Sequence, residues 1–438
     1  MSGNNPEGHN GRPKPNYPAD DVFREALQGY AKENGGSGLS TDDQILRLQK
    51  QFGLSIKKTA LFKQKKRLGI ITTRKSGLNP EDEAQMLITM KEDDRAGLWG
   101  VAAVKQRLAM QGVMVPRDRV RELLHDHFDD EFATRFIGFA KNGIVRIPLD
   151  ALGPFYKCCT DGHEKLNEQA LEMGELNFGI YGAKDGYSSL CMAIVVMPNV
   201  RSEQAIAHFF LDMTEAYDYR IPLQLMTDKG SEVGEMIRMH RVLRLEAAPE
   251  YDLTRWPASV QVSSVRNTPI EGFWRWKRQG EGHSIKDSLL VGKTVGVYNP
   301  SDPLHVKVAR WLWQPLVQER LDIFQEYWNT HKISPQAKKK LPSGKNPRQL
   351  FIAPESGRPD AKDCSIRVNP ETVRRLRDGI GGEEGRKKAY EFVDDEFRAL
   401  ADGTYVALDL PAVTLSNVWE IFVLVVSDLR PLSADYFS

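Results

Sequence analysis

Apolar positions along this chain change their spacing twice, and the changes divide it into helical, strand-rich and again helical stretches. In the first stretch Ile45, Leu48 and Phe52 line one face of a helix, which Thr41-Asp42-Asp43-Gln44 opens with capping-box spacing. Phe52-Gly53-Leu54 predicts a tight turn, and Ser55 is placed to cap a second helix. Asn79-Pro80-Glu81-Asp82 predicts another helix start, with a cap, a proline at the first position and early acids. Val101, Val104 and Leu108 then mark a helix over 101–111 that Gly112 stops. Pro116 opens the next, with Val120, Leu123 and Leu124 inward.

From about residue 155 the runs shorten to strand length. Residues 155–160 predict a strand ending at Asp161, and 177–183 and 188–197 flank Lys184-Asp185-Gly186, whose Asp-Gly pair signals a hairpin turn. A helix over 203–217 turns Ile206, Phe209, Phe210 and Met213 inward. A strand over 223–226 leads to Asp228, Ser231 begins a helix, 260–262 is a short strand, and a helix starts near Asn267. Residues 303–332 are helical, with Trp311, Trp313 and Trp328 read as core. Lys338-Lys339-Lys340 and Pro342-Ser343-Gly344 mark a boundary. Beyond it Asn369-Pro370-Glu371 opens a helix and 418–426 is apolar, but no role can be read for 345–438.

The chain has 438 residues, enough for about two to four domains, and its 41% apolar and 27% charged content is that of a soluble globular protein. The expected divisions are a disordered tail over 1–20, helix-turn-helix regions over 21–76 and 77–135, a strand-rich core over 150–335 and a C-terminal region over 345–438. No apolar run approaches bilayer length, so no membrane association is expected, and the first twenty residues lack a signal-peptide core. Cys158, Cys159, Cys191 and Cys364 form no metal-spaced pair and suit a reducing compartment. Net charge is only +1, yet residues 55–75 carry Lys57, Lys58, Lys63, Lys65, Lys66, Arg67, Arg74 and Lys75 and no acid. Such a run is either a solvated face or the electrostatic footprint of a DNA-binding helix. Its place after a turn favours the second, with this helix in the major groove.

Three acids stand where carboxylates rarely fall by accident. Asp161 lies in Cys158-Cys159-Thr160-Asp161-Gly162-His163, Asp228 in Thr227-Asp228-Lys229-Gly230-Ser231-Glu232, and Glu271 in Asn267-Thr268-Pro269-Ile270-Glu271-Gly272-Phe273-Trp274. Taken singly, each reads equally as a helix cap or turn residue. Together they place one acid on a strand, one at the end of its neighbour and one on a helix laid across both. Such a set can hold two hard divalent cations for in-line displacement at a phosphodiester. Glu232 and Glu164 are spare acids nearby, read as surface residues or caps.

Residues 153–290 resemble the integrase catalytic core shared by retroviral integrases and many DDE transposases. The Asp228 phrase is close to that family's Asp-Asn-Gly-Ser-Glu turn, and Asn267, Glu271, Phe273 and Trp274 match its final motif. Residues 99–124 resemble the second helix-turn-helix of bacterial insertion-sequence transposases. Asp161-Gly162-His163-Glu164-Lys165-Leu166, Tyr181-Gly182, Pro342-Ser343-Gly344 and Asn346-Pro347-Arg348 are similar to integrase-core proteins of mushroom-forming fungi.

The resemblance implies an α/β fold: an RNase H-like mixed five-stranded sheet with helices on both faces, preceded by a helical helix-turn-helix region and followed by a mostly helical C-terminal region. It further implies Asp161, Asp228 and Glu271 as catalytic and metal-binding residues, Mg2+ or Mn2+ as a pair of ions, DNA as partner, a homo-oligomer on DNA and a nuclear location. Arg275 and Arg278 share a helical face with Glu271, where the family carries DNA-contacting basic residues. Lys63, Lys65, Lys66 and Arg67 are the corresponding candidates on the basic helix. Lys229 and His163 depart from the family pattern; Lys229 would meet phosphate or weaken metal binding, and His163 is structural or near the metals. The zinc module of retroviral integrases is absent, since no Cys precedes 158. A recombinase, an inactive DNA-binding relative and a structure-selective nuclease all remain compatible with these residues.

Overall fold

A computed structural model of the chain describes residues 16–71, 79–91, 93–94, 98–134, 151–163, 176, 178–228, 230–253, 256–261, 270, 273–274, 282–335 and 341–436. Helices α1 (Asp20–Gly36), α2 (Thr41–Phe52) and α3 (Lys58–Arg67) enclose one apolar cluster through Phe23, Leu27, Leu48 and Leu61. Helices α4 (Pro80–Lys91), α5 (Val101–Met110) and α6 (Arg117–Thr134) enclose a second, through Leu87, Val104, Leu108, Val120, Leu123 and Leu124.

Two predicted caps are displaced. Ser40, not Thr41, caps α2: its hydroxyl accepts from the Asp43 backbone N–H at 3.2 Å and donates to the Asp43 carboxylate at 2.7 Å. Ser55 caps nothing, because Leu54 and Ile56 turn into the core and carry the chain on to Lys57, where α3 starts without a side-chain cap. The turn itself is as expected, with Gly53 at φ +63°, a left-handed conformation that glycine adopts without strain.

The central sheet has the order β3-β2-β1-β5-β6, with β1 (Lys157–His163), β2 (Gly179–Asp185), β3 (Cys191–Met197), β5 (Gln224–Thr227) and β6 (Ser259–Gln261). The first three form an antiparallel meander, while β5 and β6 run parallel to β1. With helices on both faces this is the RNase H-like arrangement. Strand β1 runs through Asp161 rather than stopping there. The hairpin expected from the Asp-Gly signal forms, with β2 and β3 antiparallel, and Asp185 is the last residue of β2 and is buried. Its carboxylate accepts from the backbone N–H groups of Phe155 (2.8 Å), Tyr187 (3.1 Å) and Ser188 (2.7 Å) and from the Ser188 hydroxyl (2.6 Å). Burial pushes the Asp185 pKa up, and these hydrogen bonds oppose that shift.

Each face of the sheet is covered by its own set of helices. On one, α7 (Glu203–Ala216) and α8 (Gly234–Ala247) bring Phe209, Phe210, Met236 and Leu243 against Cys158 and Leu225. On the other, α9 (His283–Thr294) and α10 (Pro303–Thr330) bring Ile285, Leu289, Trp313, Phe324 and Trp328 against Cys159, Ile194 and Met226. Trp313 and Trp328 are thus core, as expected, and Trp311 is half-buried with its indole donating to Asp402 at 2.9 Å.

The C-terminal region is mostly helical and contributes to both of these faces. After α11 (Pro347–Ile352), the short strand β7 (Ile366–Arg367) pairs with β4 (Arg220–Ile221). Helices α12 (Pro370–Asp378) and α13 (Gly382–Ala389) follow on the α7 side, where Arg377 meets Asp212 at 2.9 Å and Glu215 at 3.0 Å. Helices α14 (Asp395–Ala407) and α15 (Val418–Tyr436) lie on the α10 side, adding Phe397, Val418, Trp419, Phe422 and Val425.

The N-terminal helices are fastened to this core by a buried polar cluster. Arg47 pairs with Glu33 and donates to Gln349 at 3.0 Å, while the Asn346 amide donates to Glu33 at 2.9 Å; all four side chains are buried. Lys345 reaches Asp43 at 2.6 Å. Arg348 forks onto Glu326 of α10.

Among the described residues four histidines have pKa values pushed down, chiefly by burial: His208, His240, His305 and His331. His240 titrates at about 4, and its neutral ring donates Nε2–H to the Pro222 carbonyl at 2.7 Å, just before β5. The unfolded chain takes up these protons near pH 6.5 and the folded chain only at lower pH, so acid favours unfolding. The denaturation midpoint is therefore expected to fall as pH drops from 6.5 towards 4, with His240 alone contributing about 3 kcal/mol. A midpoint that stayed flat across that range in urea titrations would contradict this burial.

Candidate active site

In the parallel ladder of β1 and β5, Lys157 stands opposite Gln224, Cys158 opposite Leu225 and Cys159 opposite Met226. Asp161 and Asp228 each follow the last of these pairs by two residues. The register therefore brings both to the same level at the carboxyl ends of neighbouring strands, roughly 4.8 Å apart in a parallel sheet. Carboxyl ends of parallel strands are the usual position for sites in α/β sheets. Side-chain alternation puts Asp161 on the face of Cys159, the side covered by α9 and α10.

Trp274 fixes Asp161 from that side. Its indole Nε1–H donates to Asp161 Oδ2 at 3.1 Å. The ring lies over Gly182, the residue of β2 paired with Asp161; a Cβ there would stand 2.9 Å from the ring. Ile270, Phe273 and Trp274 have helical backbone and are buried, and Phe273 packs on Phe324 (5.4 Å) and Trp328 (5.0 Å) of α10. The aromatic wall of α10 thus positions the tryptophan that holds the first acid.

Asp228 sits just past β5, half-buried, with its Oδ1 accepting from the Gly230 N–H at 3.3 Å. Glu232, read from the sequence as a surface residue or cap, is half-buried in the 3-10 turn at Ser231–Val233, with its carboxylate folded back over Gly230. Tyr181 senses all three acids. Burial pushes its pKa up, its hydrogen bond to Thr160 Oγ1 (3.2 Å) opposes this, and the charges of Asp161, Asp228 and Glu232 raise it further. Tyr181 therefore stays protonated beneath a concentration of negative charge. The role of Trp274 lay hidden in its motif, and the signal for Glu232 was its place two residues after Gly230.

Glu271, Arg275, Arg278, Lys229 and Glu164 lie outside the described residues, as does the side chain of His163. Among the described residues no group of three or more His, Cys, Asp or Glu is placed to hold a metal ion. On α3 the basic candidates divide. Lys63 and Lys66 are exposed, whereas Lys65 is half-buried, with its pKa lowered by burial, and Arg67 forks onto Asp20 at 2.6 Å. No described helix is long and apolar enough to cross a membrane.

Residues 161–355 match a family model described as integrase core domain. The match begins at Asp161 and takes in Asp228 and Glu271, and it supports an integrase-core family for this chain. No curated protein matches the chain.

Gly182→Ala places a methyl group against the Trp274 ring, which is held by its own packing. The substitution is expected to cost about 1–3 kcal/mol by overpacking and to change the near-ultraviolet dichroism of the tryptophans. An unchanged unfolding midpoint and spectrum would mean that Trp274 does not lie over β2.

Proposed function

We propose that this chain is an integrase- or transposase-like recombinase that cleaves and transfers DNA strands with divalent cations held by Asp161, Asp228 and Glu271. The observation that carries the reading is the parallel register setting Asp161 beside Asp228, together with the hydrogen bond from Trp274 to Asp161. Trp274 follows Glu271 by three residues, and the integrase-core match spans all three acids. The donor set fits the group it would hold: carboxylate oxygens are hard ligands, suited to Mg2+ or Mn2+. When bound, a pair of such ions supplies charge stabilisation at the phosphodiester and activates the attacking water or hydroxyl.

The chain's own residues prepare that site. Trp274 restrains the Asp161 carboxylate so that one orientation is presented, and the Gly230 N–H does the same for Asp228. Tyr181, kept protonated, adds no further negative charge beneath them. Lys229, Arg275 and Arg278 contact the phosphates of the reacting strand, and the exposed lysines of α3 hold duplex outside the site. Two DNA ends require two active sites, so the acting form is a homo-oligomer on DNA, in a nucleus. The Pro342-Ser343-Gly344 and Asn346-Pro347-Arg348 phrases support a kinship with the integrase-core proteins of mushroom-forming fungi.

Asp161→Asn, Asp228→Asn and Glu271→Gln are each expected to abolish Mn2+-dependent nicking and joining of labelled duplexes. The loss should exceed the roughly 100-fold typical of outer-shell partners, while DNA affinity and melting temperature hold. Glu271→Gln cutting at the wild-type rate would remove Glu271 from the site. Cutting without joining in the unaltered chain would make it a nuclease instead.

A further inference from the structure

Helix α3 separates its side chains cleanly by environment. Leu61 is buried in the N-terminal cluster, followed by Leu68 just past the helix, and Ala60, Gln64 and Lys65 are half-buried. Thr59, Phe62, Lys63 and Lys66 are all exposed and, at i, i+3, i+4 and i+7, form a single outward stripe. At the helix ends Lys58 is tied to Asp42 (2.8 Å) and Arg67 to Asp20 (2.6 Å). Lys57, Lys63 and Lys66 have no ion-pair partner among the described residues.

Phe62 is the anomaly in this stripe. It is 55% exposed, and no other phenylalanine or tryptophan appears among the exposed large apolar side chains of the described residues. An exposed ring on a surface is unremarkable when isolated. Here it stands beside Lys63 and Lys66, which have no ion-pair partner among the described residues, in a segment without acids. The complementary surface must carry an apolar group with negative charge beside it. The major groove of duplex DNA has this chemistry where the 5-methyl group of a thymine projects between phosphate walls. An acidic protein with an apolar pocket is the competing partner. The helix-turn-helix setting favours DNA, since α3 rises from the turn at Gly53 and follows α2 without a side-chain cap to crowd its start.

We infer that Phe62 is the base-reading residue of α3, seating its ring against a thymine methyl in the major groove while Lys63 and Lys66 bind the flanking phosphates. The inference rests on the DNA partner of the proposed function and adds to it a site of sequence discrimination remote from the acids.

The test uses the full chain in EDTA, with two labelled 16-base-pair duplexes. One alternates dA and dT, and the other replaces every thymidine by deoxyuridine, which lacks only the methyl group. The unaltered chain should prefer the thymidine duplex by about fourfold for each methyl contacted. F62A should bind both duplexes equally, with the salt dependence unchanged. K63A/K66A should keep the preference, weaken both complexes and reduce the slope of log affinity against log salt by about two. Because Leu61 and not Phe62 supplies the packing, F62A should melt as the unaltered chain does. Equal binding of the two duplexes by the unaltered chain, or a preference that survives in F62A, overturns the assignment and leaves the DNA reading standing. Failure to bind either duplex sinks both. An F62A chain that keeps its thymidine preference but no longer binds poly-L-glutamate would assign the stripe to an acidic protein.

Discussion

The backbone ladder between β1 and β5 is the constraint on which the candidate site depends. Both strands are buried on both faces: Cys158 and Leu225 enter one cluster, Cys159 and Met226 the other. A slip of one residue would exchange these sets and turn every side chain to the wrong side. Packing therefore specifies the register, and the register sets Asp161 and Asp228 level with each other. The acids need no attraction to meet, and two carboxylates would offer none. Their proximity is imposed by hydrogen bonds and apolar burial several residues away, and Trp274 then constrains the carboxylate that results.

Much of this was legible in the sequence, and particular residues show why. The strands around Asp161 and Asp228 are short apolar runs bounded by turn residues, and their order with the intervening helices admits few sheet topologies. Trp313 and Trp328 of α10 announced themselves as core by size and spacing, whereas Trp311 is only half-buried. What eluded the reading depended on local backbone detail or on distant partners. Thr41 has capping-box spacing on paper, but the geometry at Asp43 gives the cap to Ser40. Asp185 read only as part of a hairpin turn, because a sequence does not reveal that Phe155, Tyr187 and Ser188 converge on it. Glu232 depends on the tight 3-10 turn at Ser231–Val233, which folds its carboxylate back over Gly230. The helices after residue 345 gave no functional signal because their apolar faces answer to surfaces assembled elsewhere in the chain.

The N-terminal helices are joined to the core by chemistry of another kind. Arg47, Glu33, Asn346 and Gln349 form a buried polar knot, supplemented by Lys345 with Asp43. Burying charge is costly unless each partner is satisfied, so such a knot tolerates little misalignment. It also accounts for the Asn346-Pro347-Arg348 phrase: Asn346 caps α11 while reaching Glu33, and Arg348 grips α10. The segment just past the expected boundary is thus the fastening between the N-terminal helices and the core.

The extent of the family match and the extent of the folded unit do not coincide. The match ends at residue 355, but Ile366, Val373 and Leu376 lie against one side of the sheet, and Phe397, Trp419, Phe422 and Val425 against the other. A fragment trimmed to the recognised segment would bare two greasy flanks to water at once. Such a piece would clump rather than work, so anyone seeking a minimal soluble version should retain the chain at least through Leu429.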